Sequence, residues 1–210
     1  MKTFDFGGGP VPAHRHQNPD GSEGGWIAET AFVAETATVD YDAWVYNNAQ
    51  VSENARVEGK ARIRNNAKVF DNALVFGDAW ISGNAQIYDS AQVFGDAWIL
   101  ENAQVFGDAR VFGDARVYKD AQVYGNSKVS GTARVFGSAQ VFDKAQVSGK
   151  SQVCGSAKVF GSAQVLGTAR VFDDVHDVVV DVHNVVVCDD EPQAFGPTLP
   201  VCPEPSVLGW

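Results

Sequence analysis

The chain has 210 residues, 45% of them hydrophobic and 20% charged, and a net charge of −10 from 16 Lys and Arg against 26 Asp and Glu, a balance that fits one folded domain. So acidic a chain is not an undirected binder of nucleic-acid phosphates, because nothing offsets repulsion from a polyanion, although an acidic protein can still occupy another protein's DNA-binding surface. It carries no signal-peptide pattern and no run of 18 apolar residues, so a cytoplasmic protein or a virion component without a membrane partner is expected.

Residues 1–25 form a Gly- and Pro-rich segment, FGGGPVPAHRHQNPDGSEGG, ahead of Trp26. In an extended strand His14 and His16 alternate onto one side, where a third ligand would complete a metal site. The segment is expected to act as a cap, since the open end of a stacked β-structure exposes unpaired backbone groups and invites polymerisation.

From Trp26 to residue 173 a six-residue period takes over. Ile27, Val33, Val39 and every sixth residue to Val171 are all Val or Ile, 25 positions in all, and the five isoleucines of the chain are among them. Four residues after each stands a small residue: of 24 positions from Ala31 to Ala169, 22 are Ala and two are Ser127 and Ser151. In the unit V-x-x-x-A-x, the Ala and the next Val of A-x-V point the same way along a strand, inward, and the residue between them points out. The other three residues, typically aromatic or Ser, then Gly or an acid, then Asp, Asn or Ser, carry corner chemistry. Trp26, Trp44, Trp80 and Trp98 share the outward slot and differ by multiples of 18, so three hexads make one coil. The result is an all-β, single-stranded, triangular parallel β-solenoid of about eight coils, on the order of 40 Å long at ~4.8 Å per coil.

This pattern resembles the hexapeptide-repeat superfamily, and the resemblance implies a left-handed parallel β-helix. The leader is similar to those of phage and bacterial hexapeptide-repeat proteins. Many members of the superfamily are trimeric acyltransferases that use a His as general base and bind coenzyme A along the rod. Here all 25 hexads run without insertion and without His, whereas an acyl-transfer site needs a base beside an acceptor pocket. The four histidines, His14, His16, His176 and His183, are the catalytic candidates only if the chain is an enzyme.

Sorted by flat, the outward residues form columns. The first reads Trp26, Trp44, Arg62, Trp80, Trp98, Arg116, Arg134, Gln152, Arg170, a geometry suited to cation–π stacking within the column or to docking a sugar or a partner chain. The other two are rich in Gln, expected as amide ladders. Acids are confined to the corners. Phe70, Tyr88, Phe106, Tyr124, Phe142 and Phe160 fall 18 apart along one corner and predict an external aromatic ridge for self-association or partner binding, unless the rings cover one another. Asp42, Lys60, Asp78, Asp96 and Asp114 share another; its weak metal candidates are Asp78, Asp96 and Asp114, and solvated turn acids are the simpler reading. Asn48, Asn66, Asn84 and Asn102 read as left-handed turn residues with an amide ladder.

Beyond residue 173, DVHDVVV and DVHNVVV form a seven-residue duplication over residues 174–187, expected as terminal strands that leave the helix and close its end. Residues 188–210, with five Pro, read as an irregular tail. Cys154, Cys188 and Cys202 match neither a disulfide framework nor a zinc site, and mostly free thiols are expected. The leading functional expectation is a noncatalytic rod without cofactor, structural or protein-binding, of phage or prophage origin, with a protein partner or self-association up to a homotrimer. The alternatives are a coenzyme A-dependent acyltransferase and an acidic inhibitor of a basic host protein that handles nucleic acid.

Overall fold

The computed structural model describes residues 2–181 and 186–187. It opens with β1 (Thr3–Asp5), β2 (Pro10–Gln17), β3 (Glu23–Ala28), β4 (Phe32–Val33) and β5 (Thr38–Val39), continues with one short strand per hexad to β27 (Arg170–Val171), and ends with β28 (Val175–His176), β29 (Val179–Asp181) and β30 (Val186–Val187). From β3 onward each strand pairs in parallel with the strand three places on, giving three sheets that wind as one solenoid of about nine turns with about 18 residues per turn. The Trp column has the expected register, Trp26 opposite Trp44, Trp44 opposite Arg62, and Trp80 between Arg62 and Trp98.

Why the hexad folds this way is visible in the core. From Ala37 to Val171 the repeat's Ala and Val or Ile side chains are fully buried in one continuous column, each Val or Ile contributing ~1.5–3 kcal/mol of burial. The two exceptions to Ala keep their hydroxyls satisfied: Ser127 Oγ donates to the Tyr124 carbonyl at 2.8 Å, and Ser151 Oγ to the Ser148 carbonyl at 2.8 Å. Val33, in the first coil, is only partly buried, and its strand β4 is the edge of its sheet.

After the first coil each corner turns on a residue in the left-handed region. From Asn47 to Gly167 every sixth residue has positive φ, including Asn47 (58°), Glu101 (59°) and Lys119 (62°). This corrects the expectation for the Asn48 column: the left-handed residue is the one before it, and Asn48 itself is not in that region. The amide ladder is present, with Asn48 Nδ2 donating to Asn66 Oδ1 at 3.4 Å, Asn66 to Asn84 at 3.2 Å and Asn84 to Asn102 at 2.9 Å.

Both ends of the rod add structure beyond the hexads. At the N-terminus β1 and β2 form an antiparallel hairpin, and β2 lies antiparallel on β3 with a register shift between Arg15 and Gln17. The third flat is closed by side chains: Asn18 Oδ1 accepts the Val39 N–H at 2.9 Å, and His16 Nε2 contacts the Ala37 carbonyl at 3.0 Å. Those two groups stand where another strand would pair. At the C-terminus β28, β29 and β30 pair in parallel on β25, β26 and β27, so the duplication extends the three sheets rather than leaving them, which is why about nine turns are present and not eight. The residues of the expected tail, 188–210, lie outside the described residues.

Candidate functional site

The chemistry-bearing side chains fall into three groups: the end histidines, the corner acids and the stacked columns. The structure separates the histidines. The register shift in β2 turns His14 outward and His16 inward, against the expectation that both share a side: His14 Nδ1 pairs with Glu29 Oε1 at 2.9 Å in solvent, while His16 is 7% exposed. His176, on the last coil, stacks on Phe160 at 4.4 Å and contacts Asp177 Oδ2 through Nε2 at 3.0 Å. His183 lies outside the described residues. Each described His thus has a local contact of its own, two in the cap and one on the last coil.

Asp78, Asp96 and Asp114 stand exposed one coil apart along their corner, and among the described residues no three His, Cys, Asp or Glu side chains converge in a geometry that could hold a metal ion. Another acidic column is more ordered. Asp71 N–H donates to Glu53 Oε2 at 2.9 Å, Asp89 N–H to Asp71 Oδ2 at 3.1 Å and Gly107 N–H to Asp89 Oδ2 at 3.0 Å. These carboxylates satisfy backbone donors left free at the corner by its left-handed turn. A side-chain hydrogen bond with Asp71, then some desolvation and the Asp71 charge, pushes the Glu53 carboxyl above its usual range, against the backbone N–H bond, which pulls it down.

On the first flat the large side chains form one ladder. Arg62 lies between Trp44 at 4.4 Å and Trp80 at 5.1 Å, Trp80 stacks on Trp98 at 5.6 Å, and Arg116 covers the far face of Trp98 at 4.8 Å. Trp26 lies between Phe4 at 4.7 Å and Arg15 at 4.6 Å. The structure therefore favours cation–π stacking within the column over sugar docking, because the faces of Trp26, Trp80 and Trp98 are covered on both sides.

The aromatic corner is equally regular: Phe70, Tyr88, Phe106, Tyr124, Phe142 and Phe160 stack 4.8–5.1 Å apart and within 6° of parallel. Their faces are covered and their edges half-exposed. Burial, then the charges of Asp89 and Asp71, raises the Tyr88 hydroxyl pKa; burial and Asp143 do the same at Tyr124. Two further ladders escaped the sequence reading. Phe76, Phe94 and Phe112 stack at 4.6 and 4.9 Å on a second corner. Tyr118 and Phe136 stack at 4.9 Å on the third and are buried with Cys154. Cys154 is disulfide-bonded, contrary to the expectation of mostly free thiols.

The YdcK Beta solenoid repeat family matches residues 103–119, close to one full coil. The chain is a β-solenoid of the hexapeptide-repeat type. No curated protein matches it. Among the described residues of the solenoid no helix is long and apolar enough to cross a membrane.

Proposed function

We propose that the solenoid is a noncatalytic rod, a structural or protein-binding module of phage or prophage setting, which presents its side-chain columns to a protein partner. The observation that carries this reading is the aromatic corner, whose half-exposed ring edges repeat at 4.8–5.1 Å over six coils beside a column of ordered carboxylates. A solenoid extends such a surface by adding coils, which suits a long partner better than a small substrate. The local contacts of His14, His16 and His176 favour structural roles for them over general-base catalysis, the reading an acyltransferase would need.

The test is affinity capture from the native host with a size measurement on the captured complex, repeated with Phe106→Ser and Phe142→Ser. Loss of a stoichiometric protein partner in the double variant supports the reading. A trimer protected against unfolding by coenzyme A, with turnover lost in His14→Ala or His176→Ala, would replace it with the enzyme.

A further inference from the structure

We propose that the partner of one flat is a second, antiparallel copy of the rod: the flat bearing the tryptophans and arginines seats on the neighbour's opposite corner, acid against arginine and glycine against tryptophan, coil by coil. This rests on the reading of the rod as a protein-binding module and names the occupant of one of its surfaces.

In a triangular rod the corner between the second and third flats lies across from the first flat. Its turn column reads Glu35, Glu53, Asp71, Asp89, Gly107, Gly125, Asp143 and Gly161. In an antiparallel pair, a step of 18 residues up one column is a step of 18 down the other. Placing Arg134 opposite Asp71 therefore puts Arg116 opposite Asp89, Arg62 opposite Asp143 and Arg170 opposite Glu35. At two of the three coils where this column has Gly, Trp98 meets Gly107 and Trp80 meets Gly125, a bulky ring over a residue without a side chain, and the third, Gly161, falls opposite Trp44. The one Gln of the flat, Gln152, meets Glu53.

Among antiparallel registers this one is singular. Shifting it by one coil sets Arg116 on Gly107 and Trp80 on Asp143, or, the other way, Arg62 on Gly125 and Trp98 on Asp89. Parallel rods match best with Arg62 opposite Asp89, Trp80 on Gly107, Trp98 on Gly125 and Arg116 opposite Asp143. Arg134 then falls on Gly161 and Arg170 runs past the column, so two arginines find acids where the antiparallel register pairs four. The free stretch of the flat starts at Arg62, because Phe4 and Phe6 of the N-terminal hairpin already pack on Trp26 and Trp44.

The groups are also available and held in place. Among the described residues Arg56 with Glu58 is the one ion pair between Lys or Arg and a carboxylate, so the arginines of the first flat are not neutralised within the rod. Asp71, Asp89 and Asp143 each accept a backbone N–H of the next coil through Oδ2, which fixes the carboxylate. Pre-ordering of this kind lowers the entropy lost on pairing. Pairing along many coils also needs a partner of identical pitch, which a copy of the same rod supplies. Each rod offers both a flat and the corner opposite it, so the contact is head-to-tail in type and gives open-ended rows.

The experiment is sedimentation velocity of the full chain at ~0.05 M and ~1 M salt, between which screening of exposed charges tightens severalfold. The wild type is expected to sediment as rows at low salt and as a monomer at high salt. Arg116→Glu with Arg134→Glu, and separately Asp71→Lys with Asp89→Lys, are each expected to stay monomeric at low salt, and their equimolar mixture to assemble again. Lys already occupies a left-handed corner at Lys119; thermal unfolding checks that each variant is folded, and the arginine variant with the salt series decides alone if the aspartate variant is not. A monomeric wild type at low salt, variants that assemble like the wild type, or a mixture of folded variants that stays monomeric overturns the proposal. If it fails while Phe106- and Phe142-dependent capture persists, self-packing is lost and the protein-binding reading stands.

Discussion

Trp80 and Trp98 stand in register on neighbouring strands with their rings stacked 5.6 Å apart. Two residues 18 apart in sequence thus become nearest neighbours on one flat, and this relation, repeated at every position, organises both the inside and the outside of the rod. It also makes local perturbations calculable, because every side chain has a defined neighbour above and below.

Removing a member of the ladder should cost little but measurably. Arg62→Ala deletes contacts to both Trp44 and Trp80, and with cation–π pairs worth ~0.5–1 kcal/mol each at exposed sites, a loss of about 1–2 kcal/mol is expected in urea unfolding. Arg62→Lys should recover only part of it, since an ammonium cannot lie flat between two rings.

Core changes should be far more severe. Val105→Ala in the fully buried column removes two methyl groups and should cost about 2 kcal/mol. Val105→Asp places a charge where no partner exists and should prevent the coils from stacking, read as loss of the β signal in circular dichroism.

The corners distinguish conformational strain from collision. A Cβ on Gly149 would lie 2.6 Å from the Gly167 carbonyl oxygen, whereas one on Gly155 would meet only the Phe172 carbonyl at 3.7 Å. Both glycines have positive φ, so Gly155→Ala should cost only the left-handed penalty of ~1 kcal/mol, and Gly149→Ala clearly more. Equal midpoint shifts in urea unfolding would contradict this corner geometry.

Alkaline pH should weaken the fold through the aromatic corner. The folded-state pKa values of Tyr88 and Tyr124 lie above their unfolded value, so the folded form holds its phenolic protons more tightly. Their contribution is fully present below the unfolded pKa of ~10 and is lost as pH rises through the folded value. Melting temperature against pH should fall above that point, and less steeply in Tyr88→Phe with Tyr124→Phe. In the acid range Glu53 should titrate by NMR above an ordinary Glu, and Asp71→Asn should lower its midpoint.

The rod was readable from the six-residue spacing that starts at Ile27, because a buried column tolerates so few residue types: every successor of Ile27 up to Val171 is also Val or Ile. The Phe76 and Tyr118 ladders carried the same 18-residue signal as Phe70 and were open to the same reasoning. The left-handed site was legible too, since Gly59, Gly77 and Gly95 occupy its hexad position and Asn48 does not. The split of His14 from His16 was not legible: it depends on a register shift fixed by long-range contacts from His16 and Asn18 to the third flat. Likewise the seven-residue duplication looked like an exit from the rod, because the positions that pair with Val159, Val165 and Val171 are Val175, Val180 and Val187, and none of them keeps the six-residue step from the one before.

The most direct measurement of the coil itself is disulfide formation between cysteines placed on the outside. Gln104 and Gln122 pair in register on adjacent strands, within the Cα separation of about 4.4–6.8 Å that a disulfide spans, whereas Gln104 and Arg110 lie on different flats. Gln104→Cys with Gln122→Cys should crosslink within the monomer under mild oxidation, and Gln104→Cys with Arg110→Cys should not. Crosslinking of the six-apart pair with none at the 18-apart pair would contradict a coil of 18 residues and every column built on it.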